Sequence, residues 1–310
     1  DKEVGILLDA LEADGVMGNS VIFFWSDHGG NLLRQKRAVG DSGLHVPLII
    51  RYPDGYRAGE TESRMVSLMD LGPTVLSLTG QKPPKYMDGK AFAGPFEEAP
   101  RDYIYGSADR FDESTDMQRS VLDGRYVYIK NFMPELPLIY RNRYREQIPM
   151  NKHLIELDAE GKLEGDAAYI FMKTKPLEEL YDLKNDPYEV HNLANDPAHA
   201  EKLKLLRSQV SQWQASIKDR GFTAESEIIR EFWPGMIQPV TADVNIQQQN
   251  NTIVLSCATE GASIAYQLSD AIGTDYWQLY SKPLLLQPQE KISTRAIRIG
   301  YKASKITVKN

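Results

Sequence analysis

The sequence predicts an α/β segment over residues 1–99, an α+β segment over 100–220 and, beyond a linker at 221–236, a small all-β sandwich over 237–310. Three observations lead to this order. Val21-Ile-Phe-Phe-Trp25 is an unbroken apolar, β-favouring run, the composition of a strand buried on both faces. Residues 101–220 combine a hairpin signal with a long amphipathic helix pattern. From Val240 onward helical periodicity vanishes and short β-like runs recur between turn residues.

In the first segment, Val4, Leu7, Leu8 and Leu11 stand at i, i+3, i+4 and i+7, which predicts an amphipathic helix with Asp1 as N-cap, packed beside the strand at 21–25. Val46–Tyr52 is a second apolar strand, and Pro53-Asp-Gly-Tyr56 is a turn. A short strand is expected at Met65–Leu68. Asp70 then caps a helix with Pro73 in its first turn, Val75, Leu76 and Leu78 as apolar positions and Gly80 as its stop. Residues 81–100, rich in proline and glycine, read as a long connection. A two-stranded sheet has exposed edges and little apolar cover, so 1–99 is expected to need partner strands.

In the second segment, Asp102–Ser107 reads as a strand, and Arg119–Leu122 and Arg125–Lys130 flank Asp123-Gly124, the signal of a hairpin with a type I′ turn. Tyr140-Arg-Asn-Arg-Tyr-Arg145 reads as a solvated face, with a cationic-aromatic contact to a sulfated sugar as the competing reading. Asp196-Pro197 opens a helix whose Leu203, Leu206, Val210, Trp213 and Ile217 form a core stripe. In the last segment, strands are expected at 242–248, 252–257, 263–268, 284–286, 292–299 and 305–309.

Chemistry concentrates where the first strand ends. Ser26-Asp27-His28-Gly-Gly30 sets a carboxylate and an imidazole at the carboxyl end of a strand, where ligand sites of open α/β sheets collect. The competing reading is an ordinary turn in which Asp27 bonds its own backbone. Arg34-Gln-Lys36-Arg37 follows, then Asp41-Ser-Gly-Leu-His45 leads into the second strand. Two candidate metal ligands, Asp27 and His28, with Lys36 and Arg37 nearby would suit an anionic tetrahedral substrate: a cation would draw charge from one oxygen and Lys36 would neutralise another as a point charge. His45 is a candidate at the substrate rim. His153, His191 and His199 have no neighbours in sequence that read as a metal constellation and are assigned structural or surface roles.

Composition excludes some classes. The net charge of −7 argues against nucleic acid as a partner, so an acidic ligand must be met by local cationic patches. No apolar run approaches the ~20 residues of a membrane span. The single cysteine, Cys257, lies in a strand-like stretch and reads as a small buried hydrophobe.

The spaced pattern Phe24-Trp-Ser-Asp-His-Gly-Gly-Asn-Leu-Leu-Arg-Gln-Lys-Arg37 followed by Asp41-Ser-Gly-Leu-His-Val-Pro-Leu-Ile-Ile-Arg-Tyr-Pro53 resembles the C-terminal half of a type I, formylglycine-dependent sulfatase of the alkaline-phosphatase-like superfamily. The resemblance continues through Ser67–Leu76, Arg119–Tyr126 and Glu179–Glu189 with Asn192-Leu193, roughly the first two-thirds of the chain. It implies a partial alkaline-phosphatase-like sheet, a sulfatase C-terminal subdomain, and one divalent cation, with calcium favoured and magnesium, manganese or zinc as the other choices. Asp27 and His28 match the late metal pair of the family, and Lys36 matches its catalytic, sulfate-binding lysine. Arg37 and His45 become substrate-binding candidates. The implied substrate is a sulfated carbohydrate, and the implied location is periplasmic or extracellular.

The family's nucleophile, a formylglycine made in a Cys/Ser-x-Pro/Ala-x-Arg motif, has no counterpart here, nor does its N-terminal acidic metal pair. The expectation is therefore a C-terminal part whose partner is the N-terminal half of the catalytic domain, and which is inactive by itself. Segments 262–267, 280–284 and 292–304 resemble the β-sandwich appended to chitobiases and β-hexosaminidases, with a departure at Ser269–Tyr276 and a sugar-binding option at Tyr276 and Trp277. A phosphomonoesterase or phosphodiesterase of the same superfamily, or a non-catalytic carbohydrate-binding piece, are the alternative readings.

Overall fold

In the computed structural model, which describes residues 1–309, the chain divides into two units, Asp1–Asp219 and Arg220–Asn310. The first is mixed α/β, with two sheets; the second is all-β apart from one helix and short turns.

The first unit opens with α1 (Lys2–Ala13), which has Asp1 at its N-cap, and β1 (Ile22–Trp25). The helix forms where its spacing places it, but its stripe is not covered: none of its residues is buried, and Leu7 is 66% exposed. Nor is β1 the doubly buried strand expected from its composition. It pairs antiparallel with β2 (Leu48–Arg51) as a two-stranded ribbon, leaving Phe24 and Trp25 nearly half exposed. Apolar composition sets the strand, whereas burial needs a second layer, and no further strand joins this ribbon among the described residues. Between the two strands lies α2 (Asp41–Leu44), a single turn.

The strand expected at 65–68 is absent. Ser67 instead opens a short 3₁₀ turn in a capping box, and Asp70 is the acid of that box rather than a side-chain cap of α3 (Leu71–Leu78). Asp70 is buried. Its carboxylate accepts from the backbone N–H of Ser67 (2.9 Å) and Lys90 (2.7 Å) and from Arg101 Nε (2.9 Å), so it ties 67, 90 and 101 together. The helix buries Pro73, Thr74 and Ser77 and exposes Val75, reversing the expected face, because Thr74 and Ser77 hydroxyls accept from the N–H groups of Phe92 and Phe96 in the following loop.

The central scaffold is an antiparallel meander of β3 (Ile104–Phe111), β4 (Ser114–Leu122), β5 (Tyr126–Asn131) and β6 (Glu178–Asp182). The hairpin at 123–124 forms as expected, with Leu122 opposite Val127, but its turn differs. Only Gly124 has positive φ (87°), whereas type I′ needs two such residues. Asp123 Oδ1 instead accepts from the N–H groups of Arg125 (3.1 Å) and Tyr126 (2.7 Å), an Asx turn.

The meander has two covered faces, and the alternation along β5 assigns them. Tyr128 points with Val121 and Leu180 to one side, against Leu203, Leu206 and Val210. These belong to α6 (Ala200–Ser216), which follows α4 (Pro149–Ala159) and α5 (Gly165–Tyr169). Asp196 caps its 3₁₀ lead-in by accepting from Ala198 N (2.9 Å). Full burial of a side chain such as Leu206 contributes ~1.5–3 kcal/mol. Trp213 completes the stripe by stacking on Tyr105 (4.9 Å between centroids), while Ile217 lies half exposed beyond the helix end. Val127, Ile129 and Tyr181 point to the other face and pack on Val39, in the loop between β1 and β2. That contact sets the loop carrying Lys36 against the meander.

The second unit begins with α7 (Glu225–Phe232). Its strands are β7 (Val244–Gln249), β8 (Thr252–Cys257), β9 (Ser263–Leu268), β10 (Gln278–Leu279), β11 (Leu284–Leu285), β12 (Ile292–Ile297) and β13 (Thr307–Lys309). Sheets ordered β10-β9-β12-β13 and β11-β8-β7 enclose Val244, Ile253, Leu255, Ile264, Tyr266 and Ile292. Cys257 is half-buried against this core, with its Sγ–H donating to the Ala242 carbonyl (3.2 Å). Where the sequence departs from the expected turn, the buried Gln267 amide donates to the carbonyls of Thr274 (2.8 Å) and Tyr276 (3.0 Å), and Tyr276 projects into solvent.

Candidate functional site

β1 ends at Trp25, and the chain then turns through Ser26, whose hydroxyl donates to the His28 carbonyl (2.6 Å). This turn brings Asp27 and His28 together, with Asp27 Oδ2 3.5 Å from His28 Nε2. His28 Nδ1 lies 2.6 Å from the Gly29 carbonyl. The Gly29 carbonyl can fix Nδ1 as the donor, the arrangement that leaves Nε2 free to ligate a cation beside the carboxylate. Both side chains are open, Asp27 at 82% and His28 at 40% exposure. The pair thus supplies two donors with compatible chemistry. Among the described residues no third His, Cys, Asp or Glu joins them in a metal-binding group.

The following loop is folded by local bonds. Lys36 N donates to Gly30 O (3.0 Å) and Ala38 N to Gln35 O (3.0 Å). Gly43 of α2 lies so close that a Cβ there would stand 2.3 Å from the Ala38 carbonyl oxygen and 2.6 Å from that of Gln35. The Lys36 ammonium sits 5.5 Å above the Tyr144 ring and has no carboxylate partner among the described residues. Arg37, held at a φ of 80°, is ion-paired with Asp112 and lies over Phe111. Arg34 anchors the loop by donating to the carbonyls of Tyr188 (2.7 Å) and Glu189 (3.0 Å). Glu189 is itself buried. Burial pushes its carboxyl up, against the opposing pull of the Asp41 N–H and Arg34.

Lys36 and Arg37 border an open cleft between this loop and the meander. Tyr140, Asn142 and Arg145 form its far wall, and Asp116, Gln118 and Glu179 lie on the sheet side. Asp27 and His28 stand outside its lining, as does His45, which is largely exposed with Nδ1 3.3 Å from Asp41 Oδ2. The structure therefore pairs Asp27 with His28, sets Lys36 and Arg37 on one cleft, and leaves His45 apart from both.

The model of the family described as Sulfatase matches residues 1–81, the segment that contains Asp27, His28, Lys36, Arg37 and His45. Beyond the matched residues the likeness extends along the chain: an ulvan-active sulfatase of Formosa agariphila is 42% identical over 308 residues, covering 98% of this chain and 52% of that protein. The N-sulphoglucosamine sulphohydrolase of Homo sapiens is 26% identical over 255 residues, covering 77% of this chain and 50% of its own length. The chain spans about half the length of these curated relatives. A solved 2-O GAG sulfatase matches with a TM-score of 0.53 at 22% identity, covering 72% of this chain and 42% of that one. A structure in complex with its substrate D-glucosamine-2-N,6-O-disulfate matches with a TM-score of 0.50 at 22% identity, covering 70% and 38%. These two likenesses show that about seven-tenths of this chain shares its fold with part of those structures.

Sequence reasoning missed the depth of the far wall of the cleft. In the run 140–145, Arg141, Arg143 and Tyr144 are exposed as expected of a solvated face, but Asn142 and Arg145 are buried. Their spacing of three, with Asn142 Oδ1 accepting from Arg145 N (2.9 Å), was the available signal. Asp116 was missed as well. It pairs with the fully buried ammonium of Lys175 (2.6 Å), which also donates to Tyr140 Oη (3.1 Å), and burial with the Asp116 charge pushes the Tyr140 phenol well above its ordinary value.

Proposed function

We propose that this chain is part of a sulfuric ester hydrolase acting on sulfated carbohydrate, in which Asp27 and His28 supply part of a divalent-cation site and Lys36 binds a sulfate oxygen. The observation that carries the reading is the approach of the Asp27 carboxylate to His28 Nε2 at the end of β1, inside the segment that matches the Sulfatase model, followed by an ammonium with no carboxylate partner among the described residues. A cation bound there would act as a Lewis acid toward a sulfuryl oxygen. Two donors fall short of the ~6–8 oxygens calcium takes, so the remaining ligands, like the formylglycine nucleophile, belong to a partner half of the catalytic domain. Oxygen ligands favour calcium or magnesium, and the imidazole also accommodates manganese.

Within this chain, Lys36 contributes charge without fork geometry, and the Tyr144 ring holds it over the cleft without neutralising it. The sulfated glycan named for the relatives is the substrate class carried over to this chain, and a location outside the cytoplasm follows from the same kinship. The test is sulfate release from a sulfated oligosaccharide by the chain joined to a nucleophile-bearing half. Asp27→Ala and Lys36→Ala should each lower kcat/KM at least a hundredfold. Near wild-type turnover in both variants refutes the assignment. Preference for phosphate esters under the same conditions would favour the phosphohydrolase alternative.

A further inference from the structure

The cleft bordered by Lys36 holds a second cation that the reading above leaves unused. Arg145 is 5% exposed. Its Nη1 donates to the Leu33 carbonyl (3.3 Å) and its Nη2 to the Tyr140 carbonyl (2.5 Å), while among the described residues Nε has no acceptor and no carboxylate is ion-paired with the guanidinium. The acids around the cleft are all taken by other groups. Asp109 pairs with Arg119 (2.8 Å), Asp116 with Lys175 (2.6 Å) and Glu189 with Arg34 (3.6 Å). Glu179 accepts from Asn131 (2.6 Å) and Tyr181 (2.6 Å). Arg37 is already matched to Asp112. Among the described residues, Lys36 and Arg145 are therefore the two cations on this cleft that no carboxylate pairs with, and the ring beneath Lys36 belongs to Tyr144, the residue preceding Arg145.

We propose that Arg145 anchors a second anion subsite, which takes a carboxylate or sulfate on the sugar unit neighbouring the one that bears the hydrolysed ester. A buried guanidinium with no carboxylate in contact is costly, and its planar donor set matches an incoming oxyanion. The side chain is also pre-positioned. Asn142 Oδ1 accepts from its backbone N–H, and Asn151 Nδ2 donates to both the Arg145 carbonyl (3.0 Å) and the Asn31 carbonyl (3.0 Å), joining the far wall to the loop of Lys36. Burial and nearby Arg37 push the guanidinium pKa down, against the weaker opposing pull of Glu146, Asp112 and Glu113. This subsite rests on the reading that Lys36 takes the ester sulfate.

Calorimetric titration of the full chain tests it with three disaccharides: one monosulfated and otherwise neutral, one disulfated, and one monosulfated and carrying a uronate. The two doubly charged sugars, or one of them, should bind at least tenfold more tightly than the neutral-backed one; which of them does so identifies sulfate or carboxylate as the second group. Arg145→Gln should remove that advantage and leave the singly charged sugar unchanged, and Arg145→Lys should keep part of it. Thermal melts establish that the variants fold, and should Arg145→Gln fail to do so, the Arg145→Lys titration carries the decision. Lys36→Ala should instead weaken all three sugars alike, so a failure of the ester reading is seen separately. Equal binding of singly and doubly charged sugars, no binding of doubly charged ones, or an advantage that survives loss of the guanidinium overturns the proposal.

Discussion

Arg119 offers the sharpest test of how the meander is held. Its side chain is 1% exposed and forms two forks, one with Asp109 (2.8 and 3.1 Å) and one with Asp219 (2.8 and 2.8 Å), so that β3, β4 and the segment after α6 meet on one guanidinium. Removing one partner of a buried pair leaves uncompensated charge and costs ~3–5 kcal/mol. Asp219 is only 9% exposed but Asp109 is 27% exposed, and water reaching Asp109 places Arg119→Met toward the lower end, about 3 kcal/mol. For a unit of this size each kcal/mol moves Tm by ~2–4 °C, so the first unit should melt about 10 °C lower. Differential scanning calorimetry is the assay, because it can separate the transitions of the two units. Replacing all three residues with apolar ones of similar volume should recover most of the loss, since desolvation of the charges is then avoided. A drop below about 2 °C for Arg119→Met, or no recovery in the triple variant, refutes the reasoning.

Two further outcomes follow from the geometry. Gly43→Ala places a Cβ against the Gln35 and Ala38 carbonyls, so it should destabilise the first unit by ~1–3 kcal/mol and weaken sulfated-sugar binding by displacing Lys36; an unchanged melt and affinity contradict the tight approach. Glu178 is held by the Arg207 fork (2.7 and 2.8 Å) and Tyr128 at a pKa of about 2, below its ordinary value. Because the folded pKa is the depressed one, its contribution is complete above the unfolded pKa of ~4.5 and is lost as pH falls toward 2. Tm measured across that window should fall less steeply in Glu178→Gln, which starts from a lower value at neutral pH; parallel curves would remove Glu178 as the cause.

How far the sequence reached depended on whether the governing interaction was local. The 252–257 and 263–268 strands, the hairpin about Gly124 and the stripe from Leu203 to Val210 were legible because period and turn chemistry act within a few residues. The adjacency of Asp27 and His28 was legible for the same reason, as side chains flanking one turn. The Met65–Leu68 strand failed against a capping box that needs the side chain three residues on, and the Asp123 turn failed because an Asx bond replaces the second positive φ.

By itself the sequence determined a mixed α/β part followed by an all-β part, the end of β1 at an acid and an imidazole, and the presence of Lys36 one loop later. Tertiary structure alone decided which charges are already neutralised: Arg37 by Asp112, Lys175 by Asp116, and Lys36 and Arg145 by no carboxylate. Partners such as Asp116 and Lys175 lie 59 positions apart, and a charge's availability depends on which distant group the fold brings within a few ångströms of it and on how much water it keeps.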